Sequence, residues 1–384
     1  MNAGSCASLA CVATVAIMGT AHACNEGDGC WTPESEAAAL ALLRDPGVRE
    51  IALGGAGVAG ATGPAAAWYN PALPVWQTGR ASVGATGYRV LPSYGLDDLW
   101  YAYPSASFTA GPGRVSLSVA YLGTGDQYRT DEYGTILGTF HTYTAVASAG
   151  YAMKISDKVS VGVTAKWFRD HLVDTGQGHG AHQPTGSGFA FDAGVAYRPW
   201  RQLTLGVALR DYGPDIRYVD ALQTATLPVR VSFGTDLRAV STTHHRLTLA
   251  ADAYKPLAQD SRRAWYLAPI RGWYDENLYK VDEVDDGHGG ITRIERRSTL
   301  RAEARQIDAH AGAEYAYRER VMLRGGFYRD WDGGRRWFTY GAGVCLPVWK
   351  TAIAMDVSRI QSIGGESRWD PNDGRWSWSL GMSL

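Results

Sequence analysis

From Arg80 to Leu384 apolar and polar residues alternate with a period of two, and few folds accept so long a run of that pattern. In 114–121, Val115, Leu117, Val119 and Tyr121 share one face while Ser116, Ser118 and Ala120 share the other. In 202–210, Leu203, Leu205, Val207 and Leu209 oppose Thr204, Gly206, Ala208 and Arg210. The last segment sets Trp376, Trp378, Leu380, Met382 and Leu384 against Ser377, Ser379, Gly381 and Ser383. Period two is the strand signature. About fourteen such segments can be read, each near the 9 to 11 residues that a tilted membrane strand needs. The connections mostly alternate between tight (111–112, 156–157, 199–200, 241–243, 318–319, 347–349) and longer (91–97, 124–138, 171–186, 212–227, 257–304, 362–373), with 331–334 the one short connection on the long-loop side. Barrels of the outer membrane have short turns at one end and long loops at the other. A soluble β-sandwich also alternates, but it need not gather its long loops at one end. The sequence therefore predicts an all-β, transmembrane antiparallel β-barrel of about 14 strands, spanning 80–384, with a long external loop at 257–304.

Composition and the N-terminal region agree. The formal net charge of the 384 residues is -1, which supplies no basic field for nucleic acid. The 21 Tyr and 14 Trp against 8 Phe suit membrane–water interfaces, where a ring with a polar tip is favoured. Residues 7–18 form a short apolar run followed by Ala21-His22-Ala23, as in a cleaved export signal over 1–23. Beyond it no run of about 18 strongly apolar residues occurs, so a helical span is not expected. Cys24 and Cys30 are close enough for a small disulfide loop in an oxidising compartment, with lipidation of Cys24 as the alternative. The expected location is the bacterial outer membrane, with both termini in the periplasm.

Residues 24–79 lead into the barrel, with a short helix expected at 34–44. Within them 49–73 is rich in Gly and Ala and nearly uncharged, which fits a segment packed inside a barrel. Arg49, Gly54, Gly55, Gly57, Asn70, Pro71 and Ala72 are its candidate plug or gate residues. Glycines permit close backbone approach, and an Asn before Pro makes a fixed corner. Pro104 cannot donate to a ladder, so a bulge or local break is expected there, either as an opening in the wall or at a frayed rim. Parity turns Lys166, Asp192, Arg230, Asp236, Arg238, Asp252, Glu314, Arg324 and Asp356 toward the lumen. Buried charges require partners, so these should pair across the lumen or with the plug. His171, Asp174, His179 and His182, and Asp282, Asp285 and Asp286, are weak metal candidates that lack regular ligand spacing. No catalytic motif is present, and neither an enzyme activity nor a cofactor is expected.

Arg49-Glu50-Ile51-Ala52-Leu53-Gly54-Gly55-Ala56 with Tyr69-Asn70-Pro71-Ala72 resembles the N-terminal signature of the FadL and PorV group of outer-membrane proteins. Leu227-Pro228-Val229-Arg230-Val231-Ser232-Phe233-Gly234, the strand from Leu247 through Lys255-Pro256, and Gly312-Ala313-Glu314-Tyr315 with Leu323-Arg324-Gly325-Gly326-Phe327 are similar to its later strands. The pattern is nearer to the PorV/PorQ branch. The resemblance implies a fourteen-stranded barrel plugged by its N-terminal segment. It implies one of two roles: receiving secreted proteins by a C-terminal sorting domain in type IX secretion, or, as in FadL-type members, passing long-chain fatty acids and other hydrophobic compounds. A structural barrel embedded in outer-membrane lipid, without transport, is the third reading.

Overall fold

The structure is a computed structural model that describes residues 38–130, 133–172, 185–218, 224–257, 265–271, 273, 280–285, 291–296, 304–331, 334–363, 370 and 372–384. Fourteen antiparallel strands close into one barrel. They are β1 (Ala81–Arg89), β2 (Leu99–Ala110), β3 (Gly113–Thr130), β4 (Ile136–Lys154), β5 (Val159–His171), β6 (Thr185–Trp200) and β7 (Leu203–Tyr212). The second half comprises β8 (Arg230–Ser241), β9 (His245–Pro256), β10 (Asp308–Tyr317), β11 (Val321–Arg329), β12 (Arg336–Val348), β13 (Thr351–Ser362) and β14 (Trp376–Ser383). Each strand pairs with its neighbours in sequence, and β14 returns to pair with β1 from Ser82↔Ser383 to Tyr88↔Ser377. Arg80 N–H donates to the Leu384 carbonyl at 2.6 Å and Leu384 N–H to that of Ala81 at 2.8 Å, so the seam is bonded to its end.

The period-two reading becomes an inside and an outside. Along β5, Ser160, Gly162, Thr164, Lys166, Phe168 and Asp170 are buried and face inward. Large apolar side chains such as Trp167, Phe189, Val207, Phe233, Leu323 and Trp378 are exposed on the exterior. An apolar outer face around a polar interior is the surface a lipid-embedded barrel requires. The tight turns lie at one end, with Arg318 and Glu319 both at positive φ (53° and 54°), the conformation of a two-residue hairpin turn. The longer connections lie at the other end. Of the loop 257–304, the described parts include a ribbon pairing Lys280–Asp285 with Ile291–Arg296.

Two expectations need correction. At Pro104 a local break forms and a bulge does not: the residue sits mid-strand with its ring outward, opposite Ala85, and the β1–β2 register runs through it unbroken. The ladder to β3 omits Tyr103 and Pro104 and resumes in the same register at Ser105↔Ser118. Proline removes a single donor, and the pairs on either side hold the strand without an extra residue. Instead of a helix at 34–44, the described residues carry one 3-10 turn, Leu40–Leu43, because the chain here packs as a buried plug segment.

If the exterior faces lipid, Val207→Arg should destabilise the barrel by about 2–4 kcal/mol when unfolded by urea from lipid vesicles. Ser379→Arg, at an inward-facing position lining an open cavity, should cost much less in the same titration.

Candidate functional site

The N-terminal segment fills the lumen. Its first described residues lie near the long-loop end, where Ala38 N–H donates to the Thr226 carbonyl (2.9 Å) and Ala39 N–H to Asp170 Oδ2 (2.8 Å). It then descends through helix α1 (Val48–Ala52) and helix α2 (Ala66–Tyr69) to the tight-turn end. There Trp76 Nε1–H donates to Ser160 Oγ at 2.6 Å, between Lys154 and Arg198 at 4.3 and 4.2 Å from its ring. The described plug therefore reaches from one end of the barrel to the other.

The candidate plug residues are seated directly on the wall. Asn70 Nδ2 donates to the Val58 carbonyl within the plug (2.9 Å) and to that of Val195 on β6 (3.1 Å), while its Oδ1 accepts from Ala72 N–H (3.0 Å). Pro71 lies so close to β5 that a Cβ on Gly162 would come within 2.2 Å of its carbonyl oxygen. Gly54 has φ +73° and stacks on Gly326, where a Cβ would meet the Gly54 nitrogen at 2.1 Å. Gly206 meets Val58, and Gly312 meets Leu53, in the same way. Inward glycines thus let the plug backbone lie against the strand backbone, which any side chain would prevent. Thr339 Oγ1 closes the contact by donating to Ala52 O (3.1 Å) and accepting from Gly54 N–H (2.9 Å).

The lumen charges form two groups. At the first, Glu314 accepts from Arg49 Nε of the plug (2.8 Å), Arg324 Nε (2.7 Å) and Arg246 Nη1 (3.0 Å), and Arg324 reaches Asp356 at 2.6 Å. Arg49 also lies 3.1 Å from the buried carboxylate of Glu50 beside it. In the second group Lys166 Nζ lies 2.7 Å from Asp192 and 2.6 Å from Asp211, both fully buried, and 4.5 Å from the Trp68 ring. Arg230 joins Asp211 at 3.5 Å and donates to the Leu42 carbonyl at 2.9 Å. Asp252 Oδ2 accepts the Gly57 and Val58 N–H groups (2.6 and 2.8 Å). Asp236 abuts Gly60, and Arg238 is exposed to a cavity of about 680 Å³ at the tight-turn end.

Several contributors escaped the sequence reading. Asp211 has outward parity, but the β6–β7 register shifts at Phe191/Ala193 and Asp211 takes φ +59°, which turns it inward. No sequence signal marks that bulge. Glu50, Arg246, Thr339 and His310 were also missed; parity alone could have placed the last three. Cys24, Cys30, Asp174, His179, His182 and Asp286 lie outside the described residues. Among the described residues no group of three His, Cys, Asp or Glu is arranged to hold a metal.

The family profile described as "Putative MetA-pathway of phenol degradation" matches residues 43–214, just under half of the chain, covering the plug and the first seven strands. Among curated proteins no sequence match is found. The Ralstonia pickettii toluene transporter TbuX is similar in structure at 14% identity, covering 88% of this chain and 97% of its own, with a TM-score of 0.49. The Pseudomonas putida toluene transporter TodX is similar at 12% identity, covering 88% and 96%, with a TM-score of 0.48. A Pseudomonas aeruginosa FadL homologue is similar at 11% identity, covering 88% and 97%, with a TM-score of 0.45.

Glu314→Gln, by leaving three guanidiniums without their shared countercharge, should lower stability by about 3 kcal/mol in denaturant titrations. Gly206→Val should unseat the plug and raise ion conductance in planar bilayers, with the wall's β-sheet circular dichroism unchanged.

Proposed function

We propose that the chain is a bacterial outer-membrane channel for small hydrophobic aromatic compounds, with its long loops outside the cell and its plug as the gate. The observation that carries this reading is a file of rings through the plugged lumen. Tyr88 stacks on Tyr101 (4.8 Å between centroids), Tyr101 on Tyr103 (6.5 Å), and Tyr103 meets Trp68 of the plug edge-on (5.4 Å). Such a file offers planar apolar solutes a series of ring faces to stack on. At its lower end Trp68 and Tyr103 border a small void that also touches Leu117, whose side chain is 45% exposed on the outer face. That void, about 10 Å³, adjoins the interrupted ladder at Tyr103 and Pro104, the place where a sideways path between β2 and β3 would open. The matched profile's description, phenol degradation, supports the same substrate class.

The PorV-type cargo role gives way to this reading. Of the residues that carried the resemblance, those at 49–56 and 69–72 are engaged in docking the plug to the wall. The cavities beside the plug, about 680 and 120 Å³, have no room for a folded domain.

Cells carrying the protein should take up radiolabelled toluene or phenol faster than cells without it, at unchanged uptake of a sugar of similar size. Pro104→Val, which restores the missing donor and closes the β2–β3 ladder, should slow that uptake several-fold while the barrel still assembles. Unchanged aromatic uptake, together with crosslinking of secreted proteins that share a C-terminal domain, would overturn the reading.

A further inference from the structure

Under the long loops, between the plug and β8–β13, lies a cavity of about 120 Å³ whose polar atoms are unmatched in a specific way. His310, on β10 and 6% exposed, places Nδ1 at 2.7 Å from the Gly54 carbonyl. A carbonyl only accepts, so Nδ1 carries the proton, and in the neutral ring Nε2 is a bare lone pair. That atom is buried and has no hydrogen-bond partner among the described residues. Arg44 of the plug and Arg375, just before β14, line the same cavity, and the Nε–H of each is likewise buried and unpartnered. One lining thus offers an acceptor without a donor and donors without an acceptor.

A hydroxyl is the smallest group that satisfies both signs, giving its proton to Nε2 and its lone pairs to guanidinium N–H. The rest of the lining selects what carries it. Tyr254, His310, Tyr328 and Trp337 form a continuous run of rings, with centroids 4.1, 4.9 and 4.4 Å apart, and Leu43 and Ile51 add apolar surface. An apolar cavity of about 150 Å³ takes benzene; this one, about 120 Å³ and lined by charged groups such as Asp45 and Asp308 as well as by rings, has the size of a single six-membered ring that carries a polar group. We propose that the cavity is a binding site for a phenol-class compound, a hydroxyl on one aromatic ring, held by His310 and Arg44. The proposal rests on the channel reading and narrows its substrate. Phenols resemble the tyrosine side chain, with a pKa of about 10, and keep their proton at neutral pH. An aromatic carboxylate has no proton to offer Nε2, and toluene satisfies neither partner.

The test is calorimetric titration of the purified full-length barrel in detergent with phenol, benzoate and toluene. The wild type should bind phenol about tenfold more tightly than the other two, as one well-placed hydrogen bond allows. His310→Phe should reduce phenol binding to the toluene level without weakening toluene. Arg44→Met, which leaves the wall untouched, should weaken phenol alone and serves if the His310 variant fails to fold. Equal binding of the three compounds, phenol affinity indifferent to both variants, or no phenol binding at all would overturn the site. A barrel that still speeds toluene uptake in cells would keep the channel reading while losing this one; loss of both uptake and binding would remove both.

Discussion

Backbone lying against backbone is the contact on which this molecule depends. Gly162, Gly206, Gly312 and Gly326 present bare strand to Pro71, Val58, Leu53 and Gly54, and no side chain stands between wall and plug. At that range the plug's own N–H and C=O groups come within reach of lumen side chains, which satisfy them: Thr339 at Ala52 and Gly54, Asp252 at Gly57 and Val58, Tyr254 at Gly55. A plug without regular secondary structure over most of its length would otherwise carry many unpaired polar groups into a dry interior. The glycines create the proximity, and the polar side chains make it tolerable.

Charge enforces the same arrangement from the other side. Glu314 lies among three arginines, one of them from the plug, so removing the plug strands a buried carboxylate between two cations of the wall. Lys166 between Asp192 and Asp211 stiffens the opposite wall under Trp68. Buried ion pairs contribute little net stability compared with apolar packing, but they punish any arrangement that separates them. The lumen is in this sense specified more than it is stabilised.

The wall was almost wholly legible in the sequence, since period-two alternation and the long–short rhythm of loops are local signals. The fourteen strands fall close to the segments read from alternation, and of the charges assigned inward by parity all but Arg238 and Asp356 are buried. What was hidden was long-range or turned on a single irregularity. A register shift reverses the face of Asp211, and no local residue announces it. Pro104 was read as a bulge or local break because proline is rarely accommodated in a closed ladder; the ladder to β3 does break there, while the flanking pairs hold the register without a bulge. His310 and Tyr254 had inward parity, but only the folded plug gives them Gly54 and Gly55 as partners. The placement of the first described plug residues at the long-loop end depends on Ala38 and Ala39 meeting Thr226 and Asp170, more than a hundred residues away.

That placement bears on how the molecule is made. The plug touches the long-loop end at Ala38 and the tight-turn end at Trp76, and the chain then turns directly into β1, the strand that must find β14 to close the ring. A ring that closed first would have to be threaded from end to end by a segment bonded to its inner surface at every level. Assembly in the other order asks for no threading: the segment made first is the core on which successive hairpins are laid, and the β1–β14 seam zips last. The plug is then a mandrel as well as a stopper.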